Sequence, residues 1–201
     1  MSINLEKGQR ISLDKGGEQL NRVCVGVNWG AIEKKGFFGA KKVAVDLDAS
    51  VGMFDEEKKL LDVVYFGQLS SRDGSVNHSG DDLTGDMDGD DGLDNEIITI
   101  ELSRIPAAVK HVVIALNSFQ GQDFATIPFA SVRLYEGTPT RVDNILANYN
   151  IANDAKFSGA VSMILGVLYR HNGAWKFKAV GDTTPDKKLE QTLETAARSF
   201  L

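Results

Sequence analysis

The sequence predicts an all-β fold, mainly an antiparallel β-sandwich, with one C-terminal helix. Three observations carry this expectation. Short runs of alternating apolar and polar residues recur along most of the 201 residues, turn-forming residues separate them, and a well-marked helical spacing occurs near the end. Strands joined by hairpins, without helical patterns between them, pair antiparallel. One domain over residues 1–201 is expected, because a chain of this length buries enough surface for a core without disulfides.

The first strand pattern places Val23, Val25 and Val27 at alternate positions before Trp29, and Val43, Val45 and Leu47 repeat it within 43–49. Further runs cover 63–68, 97–102, 111–117, 131–136, 162–169 and 174–180. Asp73-Gly74 and Asn172-Gly173 read as turns, the second as a tight hairpin because Asn-Gly tolerates the positive φ angles that such turns need. Residues 141–151 fit two periods: Val142, Ile145, Leu146 and Tyr149 suit a helix, whereas Ile145, Ala147, Tyr149 and Ile151 suit a strand. Near the end, Thr184 is placed to cap a helix at about 185–200, with Pro185 in its first turn and Leu189, Leu193, Ala196 or Ala197, and Phe200 on one face. That helix is expected to pack across a face or an end of the sandwich.

The net charge of -6 has a local origin. Eight of the 28 acidic residues fall between Gly80 and Glu96, and no Lys or Arg occurs from Asp73 to Ser103. Such a segment repels phosphate, so nucleic acid is not expected as a partner. Apolar residues make up 42% of the chain, yet no run approaches the roughly 18 needed for a membrane-spanning helix. The opening MSINLEKGQR lacks a signal-peptide pattern, and the single Cys24 cannot form an internal disulfide. A cytoplasmic location is the expectation.

Crowded carboxylates are relieved by solvation or by a cation. Within the acidic segment, Asp86, Asp88 and Asp90 alternate around Gly89, with Asp91 adjacent, a spacing that lets a short loop turn several oxygens toward one centre. Calcium takes six to eight oxygen ligands and needs no sulfur or nitrogen, and no Cys or paired His lies nearby to favour zinc. The segment is no EF-hand. With Asp86 as its first position, Asp91 replaces the required glycine, Ile97 replaces the bidentate Glu, and a strand pattern follows. Asp46 and Asp48, two apart in a predicted strand, share one face and form a floor whose other ligands come from the loop. A solvated acidic loop is the alternative.

These residues resemble the TerD family of bacterial tellurium-resistance and stress-response proteins. The resemblance runs from Ile3-Asn4-Leu5-Glu6-Lys7-Gly8-Gln9 through Val45-Asp46-Leu47-Asp48, Val64-Tyr65-Phe66-Gly67 and Ser71-Arg72-Asp73-Gly74 to the segment Gly80–Asp91, and on to Leu168-Tyr169-Arg170 and Trp175-Lys176-Phe177. It implies a non-enzymatic, calcium-binding β-sandwich, with two adjacent ions, that acts with other stress-operon proteins, including a membrane-bound complex. It also implies intracellular proteins, and action with a membrane-bound complex makes the periphery of the inner membrane the alternative to a free cytoplasmic location. The candidate ligands are Asp46, Asp48, Asp81, Asp82, Asp86, Asp88, Asp90, Asp91, Asp94 and Glu96. Several positions depart from the family pattern: Asp82 replaces Asn, Met87 replaces Gly, Asn28-Trp29-Gly30 replaces Gly-Trp-Asp, and Ala44 replaces Asp. Gly92-Leu93-Asp94-Asn95 reads as an insertion, which leaves open whether Asp91 or Asp94 supplies the last carboxylate.

Two other activities have some residues behind them. Lys34, Lys35, Lys41 and Lys42 bracket Phe37 and Phe38, which suits direct contact with an anionic membrane, although an ordinary hairpin accounts for the same residues. A metal-dependent hydrolase could use the acidic cluster, with His78 beside it, but a loop histidine of this kind is expected as a surface hydrogen-bonder. Cys24, between Val23 and Val25, is expected in the core.

Overall fold

The computed structural model describes residues 8–36, 39–152 and 155–201. In chain order the strands are β1 (Arg10–Ser12), β2 (Asp14–Lys15), β3 (Glu18–Gln19), β4 (Val23–Trp29), β5 (Ile32–Gly36), β6 (Gly39–Val43), β7 (Leu47–Phe54), β8 (Leu60–Val64), β9 (Val76–His78), β10 (Glu96–Ile100), β11 (His111–Ser118), β12 (Ala130–Thr138), β13 (Arg141–Asn150), β14 (Ser162–His171) and β15 (Ala174–Thr183). One α-helix, α1 (Leu189–Ser199), follows them. The strands form a six-stranded sheet in the order β1-β15-β14-β11-β7-β8 and a five-stranded sheet in the order β13-β12-β4-β10-β9, with β2-β3 and β5-β6 as separate hairpins. Within these sheets every strand pair is antiparallel. The all-β sandwich with a C-terminal helix expected from the sequence is the observed fold.

Alternation decides which side chains meet between the sheets. On β4, Val23, Val25, Val27 and Trp29 join the main core; opposite them, β7 contributes Leu47, Ala49, Val51 and Met53. The other face of β7 is covered too. A second apolar cluster unites Phe54, Val113, Ala115, Ile164, Val167 and Val180 with Leu193 and Ala196 of α1, so the helix lies across the outer face of the larger sheet. Gly52 permits this approach: a Cβ there would meet Leu193 at 2.7 Å. Burial on both faces explains why every residue of β7, Asp48 included, is buried.

Tertiary contacts moved several boundaries. The predicted strand over 43–49 is interrupted: β6 ends at Val43 in its hairpin with β5, and β7 begins at Leu47, where pairing with β11 starts. Asp46 therefore precedes the strand. The run predicted over 63–68 ends earlier, as β8, because Tyr65 and Gln68 close a turn on each other. The ambiguous stretch 141–151 is a strand, β13, zipped along β12. Asn172 and Gly173 both have positive φ, 52° and 81°, as a tight hairpin requires.

The helix starts later than the sequence predicts, at Leu189 rather than near 185, and Lys188 precedes it without a side-chain cap. Thr184 is engaged elsewhere. Its N–H donates to the Ser162 carbonyl at 3.0 Å and its hydroxyl to Ser162 Oγ at 3.0 Å. Ser162 Oγ lies 2.6 Å from Thr192 Oγ1 on α1, which accepts from Asn117 Nδ2 and donates to the Lys188 carbonyl. This buried chain of hydroxyls fixes the helix start. Leu193, 2% exposed, supplies the apolar contact, and Leu193→Ala is expected to cost about 2–5 kcal/mol in urea unfolding.

Candidate metal centre

The acidic loop is held at both ends by the sandwich. Trp29 is fully buried and its Nε1 donates to the Val45 carbonyl at 2.7 Å. The Val45 N–H donates to the Thr84 carbonyl at 3.1 Å, and Asp86 bridges to the end of β4 through its N–H to the Trp29 carbonyl and its carbonyl to the Ala31 N–H. Gly85, with φ of 63°, passes so close to the Trp29 ring that a Cβ would lie 2.5 Å from it. A side chain there would push the loop away.

Glu96 closes the other end. Its side chain is fully buried, Oε2 accepts the Ala49 N–H at 2.8 Å, and Oε1 accepts the Asp82 N–H at 3.3 Å. His78, expected at the surface, is buried instead. Its Nδ1 accepts from the Gly80 N–H at 3.1 Å, which places the proton of the neutral ring on Nε2, 3.2 Å from the Ala49 carbonyl and 3.4 Å from Glu96 Oε2. The histidine is thus a brace for the loop start.

Two groups of carboxylates result. Ligand-capable oxygens of Asp46, Asp48 and Asp81 lie within 4.8 Å of one another, and so do those of Asp86, Asp90 and Asp91. Asp46 is 3% exposed and Asp48 7%, and Asp46 Oδ1 has no hydrogen-bond partner among the described residues. Burial, then the charges of Asp46, Glu96 and Asp81, push the Asp48 carboxyl up to about 8. Burial and the charge of Asp81 raise Asp46 as well. Three acceptor groups at this separation, two of them withdrawn from water, form an oxygen-only set that suits a hard divalent cation.

The remaining candidates are placed differently. Burial alone would raise Asp82, but Oδ1 accepts from Thr84 N, Thr84 Oγ1 and Gly85 N, Oδ2 accepts from Asn95 Nδ2, and the carboxyl is held below its usual range. Asp88 is fully exposed and pairs with Lys42 at 3.1 Å. Asp94 projects onto Gly26, where a Cβ would collide with its carboxylate, and it is gripped by Arg133 at 2.9–3.0 Å. Between Asp91 and Asp94, the structure brings Asp91 to the acidic group and gives Asp94 to an arginine.

Two asparagines outside the candidate set organise the second group. Asn95 Oδ1 accepts the Trp29 N–H at 2.8 Å, and its Nδ2 donates to Asp82 Oδ2 and Asp86 Oδ1. Asn28 Nδ2 donates to Asp90 Oδ1 at 2.9 Å, which with the Gly92 N–H lowers that carboxyl. Sequence reasoning missed both as organisers. The available cue was an amide at each strand end facing a carboxylate-rich loop.

Residues 1–195 match the model of the TerD domain. The chain belongs to the TerD family. It is 37% identical over 207 aligned positions to stress response protein SCP2 of Bacillus subtilis, covering 96% of this chain and 98% of that protein. It is 36% identical over 191 positions to tellurium resistance protein TerZ of Serratia marcescens, covering 94% and 93%. The crystal structure of a homologue of the telluride resistance protein TerD from Streptomyces coelicolor superposes with a TM-score of 0.68 at 20% identity, covering 86% of this chain and 95% of that one, which supports the fold. Against the TerD pattern, Gly30 now has a physical reason: a Cβ there would lie 2.3 Å from the Phe129 ring, so an aspartate would require that ring to move.

Because Asp94 is committed to Arg133, Asp94→Asn is expected to give the same divalent-cation heats as the unaltered chain in calorimetric titration. Weakening the charged hydrogen bonds should lower stability by roughly 1–3 kcal/mol in urea unfolding.

Proposed function

We propose that this TerD-family chain is a non-enzymatic calcium-binding stress-response protein with two adjacent ion sites. Asp46, Asp48 and Asp81 hold the first ion, and Asp86, Asp90 and Asp91 hold the second. The carrying observation is the buried pair Asp46 and Asp48 facing Asp81, with Asp46 Oδ1 unpartnered among the described residues. A cation removes the repulsion that burial aggravates. The relatives SCP2, TerZ and TerD are named as stress-response and tellurium-resistance proteins, and among the described residues no helix is long and apolar enough to cross a membrane. Filling the loop with calcium neutralises the acidic face, and that face is the surface offered to other stress-operon proteins, including a membrane-bound complex. Phe37 and Phe38, the residues of the membrane-docking alternative, lie outside the described residues.

Calorimetric titration of chelator-stripped protein should give saturable calcium binding at two sites, with the first lost in Asp48→Asn. No calcium heat, or equal affinity for magnesium, would overturn this reading. Linkage adds about 2.7 kcal/mol at one hundred times the dissociation constant, which raises Tm by roughly 5–10 °C for a chain of this size.

Proton coupling gives a separate check. The folded carboxyl of Asp48 lies near 8, above an unfolded value of about 3.9, so without metal its contribution to stability is full below pH about 4 and is lost as pH rises through about 8. Calcium displaces that proton. At pH 7 binding should release up to about one proton, seen as heats that depend on buffer ionisation enthalpy, and affinity should rise with pH until about 8. Asp48→Asn should abolish this coupling.

A further inference from the structure

A pocket of about 350 Å³ opens on the outer face of the six-stranded sheet, beside the start of α1. Its volume falls in the range of small-molecule sites. Asp48 and Ser50 alternate onto this face ahead of Gly52, and Asn117 stands beside Asp48 on the neighbouring strand. Where Leu193 covers Gly52 the face is sealed; toward Asp48 the helix has begun too late to cover it. The delayed start at Leu189 therefore creates the pocket.

Its floor contains buried polar atoms that nothing satisfies. Ser50 is 1% exposed and Asn117 6%, and Ser50 Oγ and Asn117 Oδ1 lack a hydrogen-bond partner among the described residues. Asn117 Nδ2 is already given to Thr192, so the atom left over is an acceptor. Leaving such groups unpaired costs about 1–3 kcal/mol each. These two oxygens call for a donor from whatever occupies the pocket.

The rim has the opposite character. Lys187 and Lys188 are exposed, make no ion pair among the described residues, and precede a helix of 11 residues whose first turn has no side-chain cap. Glu190 is the acid on this rim. Free N–H groups at a helix start and two ammonium groups attract a carboxylate. Between floor and rim runs an aromatic wall: Tyr65 packs edge-on to Phe66 at 5.2 Å and Phe66 to Phe119 at 5.5 Å, and Phe119 is 65% exposed. A simple anion would leave Ser50 Oγ and Asn117 Oδ1 without a donor. A simple cation would face two lysines at the rim.

We propose that this pocket binds a small zwitterion of amino-acid size, with its ammonium group on the floor acceptors, its carboxylate at the helix start beside Lys188, and its apolar side chain against the aromatic wall. Ser50 and Asn117 lie outside both carboxylate groups, so the inference does not rest on the calcium reading.

The test is titration of the full chain, in chelator, with L-phenylalanine and L-leucine, followed by calorimetry and by NMR of the Asn117 side-chain amide. One saturable site is expected. N-acetyl-L-phenylalanine, lacking the ammonium, and L-phenylalaninamide, lacking the carboxylate, should each bind at least about tenfold more weakly, as the loss of a charged hydrogen bond predicts. Lys188→Glu and Phe119→Ser, both at exposed positions, should weaken L-phenylalanine at least about tenfold without moving Tm. Absence of saturable binding, equal affinity for the capped forms, or binding untouched by both variants would overturn the proposal.

Discussion

The buried carboxylate of Glu96 joins the parts on which the acidic site depends. It stands at the first position of β10 in the smaller sheet, yet its oxygens accept the Ala49 N–H of the larger sheet and the Asp82 N–H of the loop. Three elements that are distant in sequence are thereby fixed within hydrogen-bond range of one side chain. The bond to Ala49 also satisfies the edge of β7 beyond the reach of β8, whose pairing stops at Val51. Without it, a backbone donor would be buried unpaired at the place where the acids converge. The same charge helps hold Asp46 and Asp48 out of the usual carboxylate range, so the joint that builds the site also makes it costly without a counter-charge.

The two faces of β7 divide the work of the molecule. Its inner face belongs to the sandwich core through Leu47, Ala49, Val51 and Met53. Its outer face changes along its length, from Asp48 and Ser50 at the acidic end to Gly52 and Phe54 under the helix. One strand thus carries a carboxyl of the acidic group, a pocket floor and a helix seat in succession. Asp48 is common to the first two, since it lines the pocket beside Ser50 and belongs to the acidic group with Asp46 and Asp81.

Asp94 illustrates how an acidic run is partitioned. Its neighbour Asn95 reaches inward to Trp29 and the loop, while Asp94 turns outward to Arg133 over the bare backbone of Gly26. Alternation along an extended segment sends adjacent residues to opposite sides, and an arginine waiting on one side settles the fate of the acid that lands there. Asp82 is kept out of both carboxylate groups by a different route, since its four donors hold it as the scaffold of a turn.

Alternation and turn chemistry determined the sandwich, most of its strands and the Asn172-Gly173 hairpin, because these depend on neighbours within a few residues. Charge density alone located the acidic loop, and the Asp46-x-Asp48 spacing marked its floor. Only the tertiary structure decided that residues 141–150 form a strand, since both periods fit and the free edge of β12 chose between them. It also decided that Thr184 serves a buried hydroxyl chain and leaves the helix to start at Leu189. The division of the eight loop acids into two carboxylate groups, partners of Arg133 and Lys42, a turn scaffold and the buried brace Glu96 was likewise invisible in sequence. The physical reason differs in reach: β13 is chosen by the open edge of the strand just before it, whereas the hydroxyl chain and the Asp94–Arg133 pair need partners 22 and 39 residues away, and local pattern carries no record of which donor will arrive.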